Sequence, residues 1–421
     1  MLNSNSAISH QKKSRLCLAF FAVNLLISQN IWAGALYMTQ FATPGSVGTA
    51  GVANVVNTYT PDSAYTNPAA MTYLQEDAFL GGIQVVIPVV KFNSSIAGKG
   101  GSNGGNAGTA GPIPSSFLVK KLSDDWRLGF SITAPLGGGV DYGKSFVGRY
   151  SATRSVLGGV GISPSLAYRV NDKLSIGAGA TFIYSKLDLD VAINQGPLPD
   201  GRASFDKLDD WGVQGFLGLT YQLNEQTTIG VVYRSKSDTD LRGDLSIKSA
   251  LPPLNKLDSA KISWDYPQMV SLGVKFKVTD QLTLMADADW EDWSQFSNNY
   301  VSIQGGTINS TIKRNWNDTW HGGVAMVYDV NDQHRLASGI SYDSSPVEDK
   351  FRTADLPMDE QLKLSLAYGY HGQGNLDYSL GVSYIYLGDA KMDQTVQGVR
   401  YKGEYDTNFI LFVAGTVQYR F

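Results

Sequence analysis

A hydrophobic repeat of two constrains this chain more than any other feature. Near the C-terminus Phe409, Leu411, Val413, Gly415, Val417, Tyr419 and Phe421 alternate with a set that includes Asn408, Ala414, Thr416, Gln418 and Arg420. A strand sends successive side chains to opposite faces, so one face is greasy and the other mostly small or polar. The pattern recurs at Leu364, Leu366, Tyr368 and Tyr370, and at Leu376, Tyr378, Leu380, Val382, Tyr384 and Tyr386. It recurs at Leu282, Leu284, Ala286, Ala288 and Trp290, opposite Thr283, Asp287, Asp289 and Glu291. A soluble sheet also alternates, but it does not place Tyr, Trp and Phe at so many strand ends. Nor does it put Gly, Ser and Asp on the face that must be its core. A membrane barrel does both, with lipid outside and a lumen inside.

The punctuation agrees. Short turns stand at Asn171-Asp172, Asn224-Glu225, Thr279-Asp280, Asn331-Asp332 and Gly372 to Gly374, alternating with longer polar stretches at 98–111 and 196–206. Such alternation of short and long connections predicts an all-β, antiparallel transmembrane β-barrel, and the segments from Ala78 to Phe421 number about fourteen. Gly supplies 45 of 421 residues, about 11% against an ordinary 7% or so. No apolar run reaches about 18 residues, which excludes a helical membrane protein. The formal net charge is -4 and there is no long basic run, which argues against a nucleic-acid partner.

The segment before the barrel divides in two. Lys12, Lys13 and Arg15 precede an apolar stretch of secretory-signal length, with Ala33, Gly34 and Ala35 after it, so residues 1–33 are expected to be a signal peptide. Cys17, the single cysteine, lies within it, and the exported chain then has neither a disulfide nor a thiolate metal site. Removing three basic residues leaves 31 against 38 acidic ones, a charge of -7. Residues 34–77 lack the alternation and are rich in Gly, Ala, Thr, Asn and Pro. A barrel of this strand count leaves interior space, and this segment is expected to fold there as a hatch, with residues 78–421 forming the barrel. The terminal Phe421 resembles the C-terminal signal of outer-membrane barrels, which implies the barrel assembly machinery as a partner.

No catalytic constellation is visible. Gly138 to Ser145 fits a phosphate-loop pattern, but no helical stripe follows it. His321, His334 and His371 show no metal spacing, and there is no G-x-S-x-G. The expectation is no enzyme, no cofactor and no metal. Pro135, Gly137, Gly138 and Gly139 interrupt a strand; proline cannot donate to the ladder and glycines mark bulges, so a gap in the wall is expected here.

A set of landmarks resembles the long-chain fatty acid outer-membrane transporter family. Asn67-Pro68-Ala69, preceded by Asp62-Ser63-Ala64, Gly45, Gly48 and Gly51, looks like its hatch. Ser131-Ile132-Thr133, Tyr233-Arg234-Ser235, Pro267-Gln268-Met269, Trp293-Ser294-Gln295-Phe296, Asp343 to Val347 and Leu356-Pro357 follow in order. The resemblance implies fourteen strands, a lumen hatch and uptake of hydrophobic compounds, with Pro135 to Gly137 at a third-strand kink that opens the wall sideways. It also implies basic groups for a fatty acid carboxylate. One would fall near Val191, where this sequence departs. Lys186 is the nearest basic residue, expected to face the lumen after a bulge near Ser185, and Lys313 with Arg314 is the other candidate pair. The implied partners are a long-chain fatty acid or other hydrophobic small molecule, outer-membrane lipid and lipopolysaccharide, around a monomeric barrel. An aromatic-hydrocarbon channel, a structural or adhesive barrel and a polar-solute porin are the alternatives.

Overall fold

The computed structural model describes residues 35–37, 40–372 and 374–421; the expected signal peptide lies outside them. Fourteen antiparallel strands, numbered here in chain order, form the wall. They are β1 (Ala78–Ala97), β2 (Gly111–Lys121), β3 (Trp126–Asp141), β4 (Arg154–Arg169), β5 (Leu174–Ile193) and β6 (Gly201–Gln222). Next come β7 (Thr227–Arg234 and Ser237–Lys248), β8 (Lys256–Tyr266 and Met269–Lys277), β9 (Leu282–Glu291 and Asn298–Ile303) and β10 (Ile308–Lys313 and Thr319–Asp329). The wall ends with β11 (His334–Asp343), β12 (Gln361–His371), β13 (Leu376–Tyr386 and Met392–Val396) and β14 (Val399–Arg420). Ala78 of β1 pairs with Arg420 of β14, so the sheet closes on itself. Closure removes the edges that lipid could not solvate.

Local chemistry fixes the turns at one end. Asn171 Oδ1 accepts from the backbone N–H groups of Lys173 and Leu174, both at 2.9 Å. Asn224 and Asn331 do the same two and three residues on, and Thr279 and Ser123 use their hydroxyls. These side chains mimic a backbone turn and specify tight reversals. The outward face carries exposed Ile83, Val85, Leu217, Leu272, Leu366 and Leu380. Trp126 stacks near Tyr168 at one rim, and Tyr184 near Trp211 towards the other.

Two expectations need correction. Residues 201–206 are not loop: they begin β6, with Ala203 paired to Val191 and Arg202 to Lys248. Backbone pairing continues beyond the lipid zone, where polar side chains cost nothing. The bulge expected near Ser185 is displaced: β5 pairs with β6 without a break from Leu174 to Leu187, and the register shifts between Leu187 and Leu189. Ser185, Leu187 and Leu189 are buried inward, while Lys186 and Asp188 are half-exposed on the outer face. The pattern inverts because this part of the wall has left the membrane, so its outside is wet and its inside greasy.

Residues 40–77 pack against the inner wall. Thr43 caps the helical turn Pro44–Gly48 by accepting from Ser46 N–H. Fully buried Asp62 ties the segment together, accepting from Thr43 at 2.5 Å, Asn57 at 2.6 Å and Thr60 at 2.5 Å. Asn67 caps the turn Pro68–Tyr73 and donates to the carbonyls of Val55 at 2.7 Å and Leu219 at 3.2 Å. The wall admits this backbone where it lacks side chains. A Cβ on Gly218 would lie 2.2 Å from Asn67 Oδ1, and one on Gly177 would lie 2.6 Å from Ala69 N. Arg234 of β7 donates to the Tyr65 carbonyl and stacks over the Tyr65 and Phe216 rings. Much of the glycine excess is therefore room for the segment inside.

Candidate functional site

Four neighbouring strands break at one height. β7 is interrupted at Ser235-Lys236, β8 at Pro267-Gln268, β9 at 292–297 and β10 at 314–318. The register joins these breaks, since Met269 faces both Arg234 and Glu291, and Glu291 faces Thr319. Gln268 donates to Asp292 at 2.9 Å, and Ser294 N–H to Asp318 at 3.2 Å. The freed backbone lets large side chains turn inward. Trp264 and Phe296 meet edge to face at 4.6 Å, Trp293 and Trp316 at 5.2 Å. With Leu136, Leu157, Ile183, Leu187, Leu241 and Tyr266 they form one buried apolar cluster inside the barrel. We call this packed apolar cluster the chamber; residues 40–77 lie towards the short-turn end.

A long loop roofs it. Leu356 and Val347 of residues 344–360 are buried in the same cluster. Arg314 latches this loop: its guanidinium meets Asp355 at 2.9 and 2.7 Å, and it also donates to Asn299 at 2.8 Å and Thr353 at 2.6 Å. Burial alone would raise the Asp355 carboxyl, but the Arg314 charge and hydrogen bonds bring it below the ordinary carboxylate value. Arg352, also buried, holds the same loop through Asp359 at 2.9 Å and the Val347 carbonyl at 3.0 Å.

Beside this cluster β2 and β3 are paired over only part of their length. β2 pairs with β3 only from Lys121–Arg127 to Ser116–Ile132. Above that, Gly111 to Ser115 pair with β1 alone. β3 does not end; it bulges at Ala134-Pro135 and resumes pairing with β4 from Leu136 to Asp141. Its other edge is met by a short strand, Ala35–Tyr37, with Ala35 opposite Gly137 and Tyr37 opposite Leu136. Gly108 bridges to Val140 at the upper end. Pro135, Gly137, Gly138 and Gly139 thus line a stretch without β2–β3 pairing among the described residues.

The basic candidates fare differently. Lys186 faces outward, 3.5 Å from Asp188, so the expectation that it faces the lumen is corrected. Lys313 is exposed on the outer side, alternating with inward Ile312 and Arg314. Arg314 does face the chamber, but four of its donor contacts are taken as described above. Sequence reasoning missed Trp264 and Trp316 as chamber residues; the only signal was the row of strand breaks, whose common height depends on register. A cavity of about 300 Å³ lies between the N-terminal inner segment and the wall and is bordered by Pro44, Tyr59, Met285, Val327 and Arg335.

The family model described as outer membrane protein transport protein (OMPP1/FadL/TodX) matches residues 24–421. The chain belongs to this family. It is therefore a multi-pass protein of the outer membrane. The long-chain fatty acid transport protein of Escherichia coli O6:H1 is 23% identical over 92% of this chain and 94% of its own. A Pseudomonas aeruginosa FadL homologue has the same fold, with a TM-score of 0.85 at 22% identity, covering 92% of this chain and all of that one. The P. putida toluene transporter TodX superposes with a TM-score of 0.67 at 19% identity over 86% and 94% of the two chains. FadL/TodX-type architecture thus accounts for the fourteen strands.

Proposed function

We propose that this barrel takes up long-chain fatty acids or similar hydrophobic molecules. In this reading they enter the chamber beneath the roof loop, shift the hatch and leave sideways through the β2–β3 seam. The observation that carries it is a buried aromatic cluster beside a stretch of wall without β2–β3 pairing. Each buried CH₂ gains roughly 0.8 kcal/mol, so an alkyl chain favours such a chamber over water by several kcal/mol. A water-filled pore would offer no such gain. Residues 40–77 act as the hatch, which a ligand moves only by binding one hatch state better than another. Pro135 and the glycines after it keep the seam from zipping, because a proline has no N–H to give and glycines pair weakly in strands. In this reading the protein acts as a transporter, as the fatty acid and toluene transporters similar to it are named.

A second reading, uptake of neutral aromatic hydrocarbons, is favoured by one observation. The cation facing the chamber, Arg314, is already paired with Asp355, and Lys186 and Lys313 point outward. A fatty acid carboxylate would have to compete with Asp355 or remain at the roof. Native mass spectrometry of the purified barrel, followed by competition between oleate and toluene, separates the two. Retention of an alkyl carboxylate supports the first reading. Toluene displacing everything while oleate displaces nothing supports the second, and recovery of neither after exposure to both contradicts the chamber as a binding site.

A further inference from the structure

We propose that Asp287, Asp289 and His321 bind one first-row divalent cation, of which zinc is the representative, on the lumen wall beside the hatch. Asp289 of β9 faces His321 of β10 directly across the ladder, and Asp287, two residues away on the same face, sits opposite Gly323. One oxygen of each aspartate and one imidazole nitrogen lie within 4.8 Å of one another. Tetrahedral zinc with bonds of about 2.0–2.2 Å holds its ligand atoms about 3.3–3.6 Å apart, so binding would draw the three side chains together by up to about 1.5 Å. The site is dry: Asp287 and His321 side chains are 2% and 3% exposed, and Asp289 is 8% exposed.

The imidazole is already aimed. Asp343 Oδ1 lies 2.8 Å from His321 Nδ1 and takes that N–H. Lys363, 2.7 Å away, holds the other oxygen of Asp343 in place. Nε2, the other ring nitrogen, is then left facing Asp287 Oδ1 at 3.4 Å, where a cation could take the place of its proton. A carboxylate that fixes one ring nitrogen so that the other ligates is the usual support of a histidine metal ligand.

A second observation points to a cation as ligand. Asp289 Oδ1 is buried without a hydrogen-bond partner, and Asp287 Oδ1 has only His321 Nε2, at 3.4 Å. Buried carboxylates are paired or bound to metal. Asp287, Asp289, Asp343 and nearby Glu291 set four carboxylates against the single ammonium of Lys363. A divalent ion offsets most of that excess. The donor set of two carboxylate oxygens and one imidazole suits zinc, manganese or cobalt, whereas magnesium and calcium prefer oxygen alone.

The three residues lie against the inner segment. A Cβ on Gly323 would come 3.0 Å from Asp287 Oδ1 and 2.4 Å from Val52 Cγ2 of the hatch. Ser341, next on the wall, donates to the hatch carbonyl of Ala50 at 3.0 Å. The cation would therefore pin β9 to β10 where the hatch rests. Asp289 and His321 are 32 positions apart in the chain, so only strand pairing brings them together.

The test uses the full exported chain purified without a polyhistidine tag, stripped with EDTA and titrated with cobalt and then zinc. One metal per barrel by native mass spectrometry and a cobalt d–d band displaced by zinc are expected. Asp289→Asn and His321→Gln should each weaken zinc by at least a hundredfold, and Asp343→Asn by about 10–100-fold. A His334→Gln/His371→Gln variant should bind as the parent does. Heat-modifiable gel mobility reports which variants fold. A folded parent barrel that takes up no zinc or cobalt overturns the proposal by itself, whatever the variants do. So does unchanged affinity in folded Asp289→Asn and His321→Gln.

Discussion

At the scale of single residues, what a side chain faces decides its role more than its type. Lys186, Lys313 and Arg314 are all basic residues of extracellular strand ends, yet only Arg314 turns inward, and it is taken by Asp355. The sequence shows the alternation but not which parity points into the lumen once a strand rises past the lipid, because greasy and polar faces then exchange sides. That is why Lys186 reads as lumen-facing when it stands outside, while its neighbour Leu187 lines the chamber. The buried Arg314–Asp355 latch makes two predictions. Removing one partner leaves the other's charge buried, at a cost of about 3–5 kcal/mol, so Arg314→Ala should expose residues 344–360 to protease. The Asp355 carboxyl is lowered on folding, so the latch contributes fully above the unfolded carboxylate value, about 4. It should weaken only as pH falls through the still lower folded value. Hydrogen exchange in this loop should therefore be flat from pH 8 to pH 5 and rise only in stronger acid. A rise already between pH 7 and pH 5 would contradict the latch. At the hatch, Gly218→Val should push against Asn67 and Pro68, with an overpacking cost of about 1–3 kcal/mol. Single-channel conductance should increase while barrel assembly is retained.

At the scale of elements, β3 carries the proposed exit. Its ladder-breaking residues were legible: Pro135 and the three glycines mark a bulge on any reading of strand chemistry. The partner of the freed edge was not legible, because Ala35–Tyr37 lies about a hundred residues earlier and shows no alternation of its own. The strand breaks at Pro267-Gln268 and 292–297 were likewise visible one by one, but their alignment into a chamber rim needed the register of β7 to β10. Replacing Pro135 and Gly137 with Val and Thr should favour β2–β3 pairing. The double variant should fold, as heat-modifiable mobility reports, and still bind ligand in the chamber, while uptake of a labelled long-chain fatty acid falls towards that of cells without the barrel. Normal uptake by the folded variant would move the exit elsewhere, and the 300 Å³ cavity between hatch and wall marks the route past the hatch as the next one to block.

At the scale of the whole molecule, the fold was the most legible feature, since a period of two with aromatic strand ends leaves few alternatives to a closed barrel. The chamber was the least legible, because it is made by side chains from eight strands and a loop. Deleting residues 34–77 should turn a closed barrel into a conducting one; equal conductance before and after would contradict the hatch. The central claim, that this barrel carries hydrophobic molecules through an apolar chamber, is tested most directly by uptake in cells whose only transporter of this family is this chain. The measurement is the rate at which labelled oleate and labelled toluene enter, against the same cells without it. The account predicts saturable entry of at least one of them, abolished when Trp293 and Trp316 are replaced together by Asp in a barrel that still assembles. Entry no faster than in cells without the barrel, together with free passage of small sugars, would contradict it.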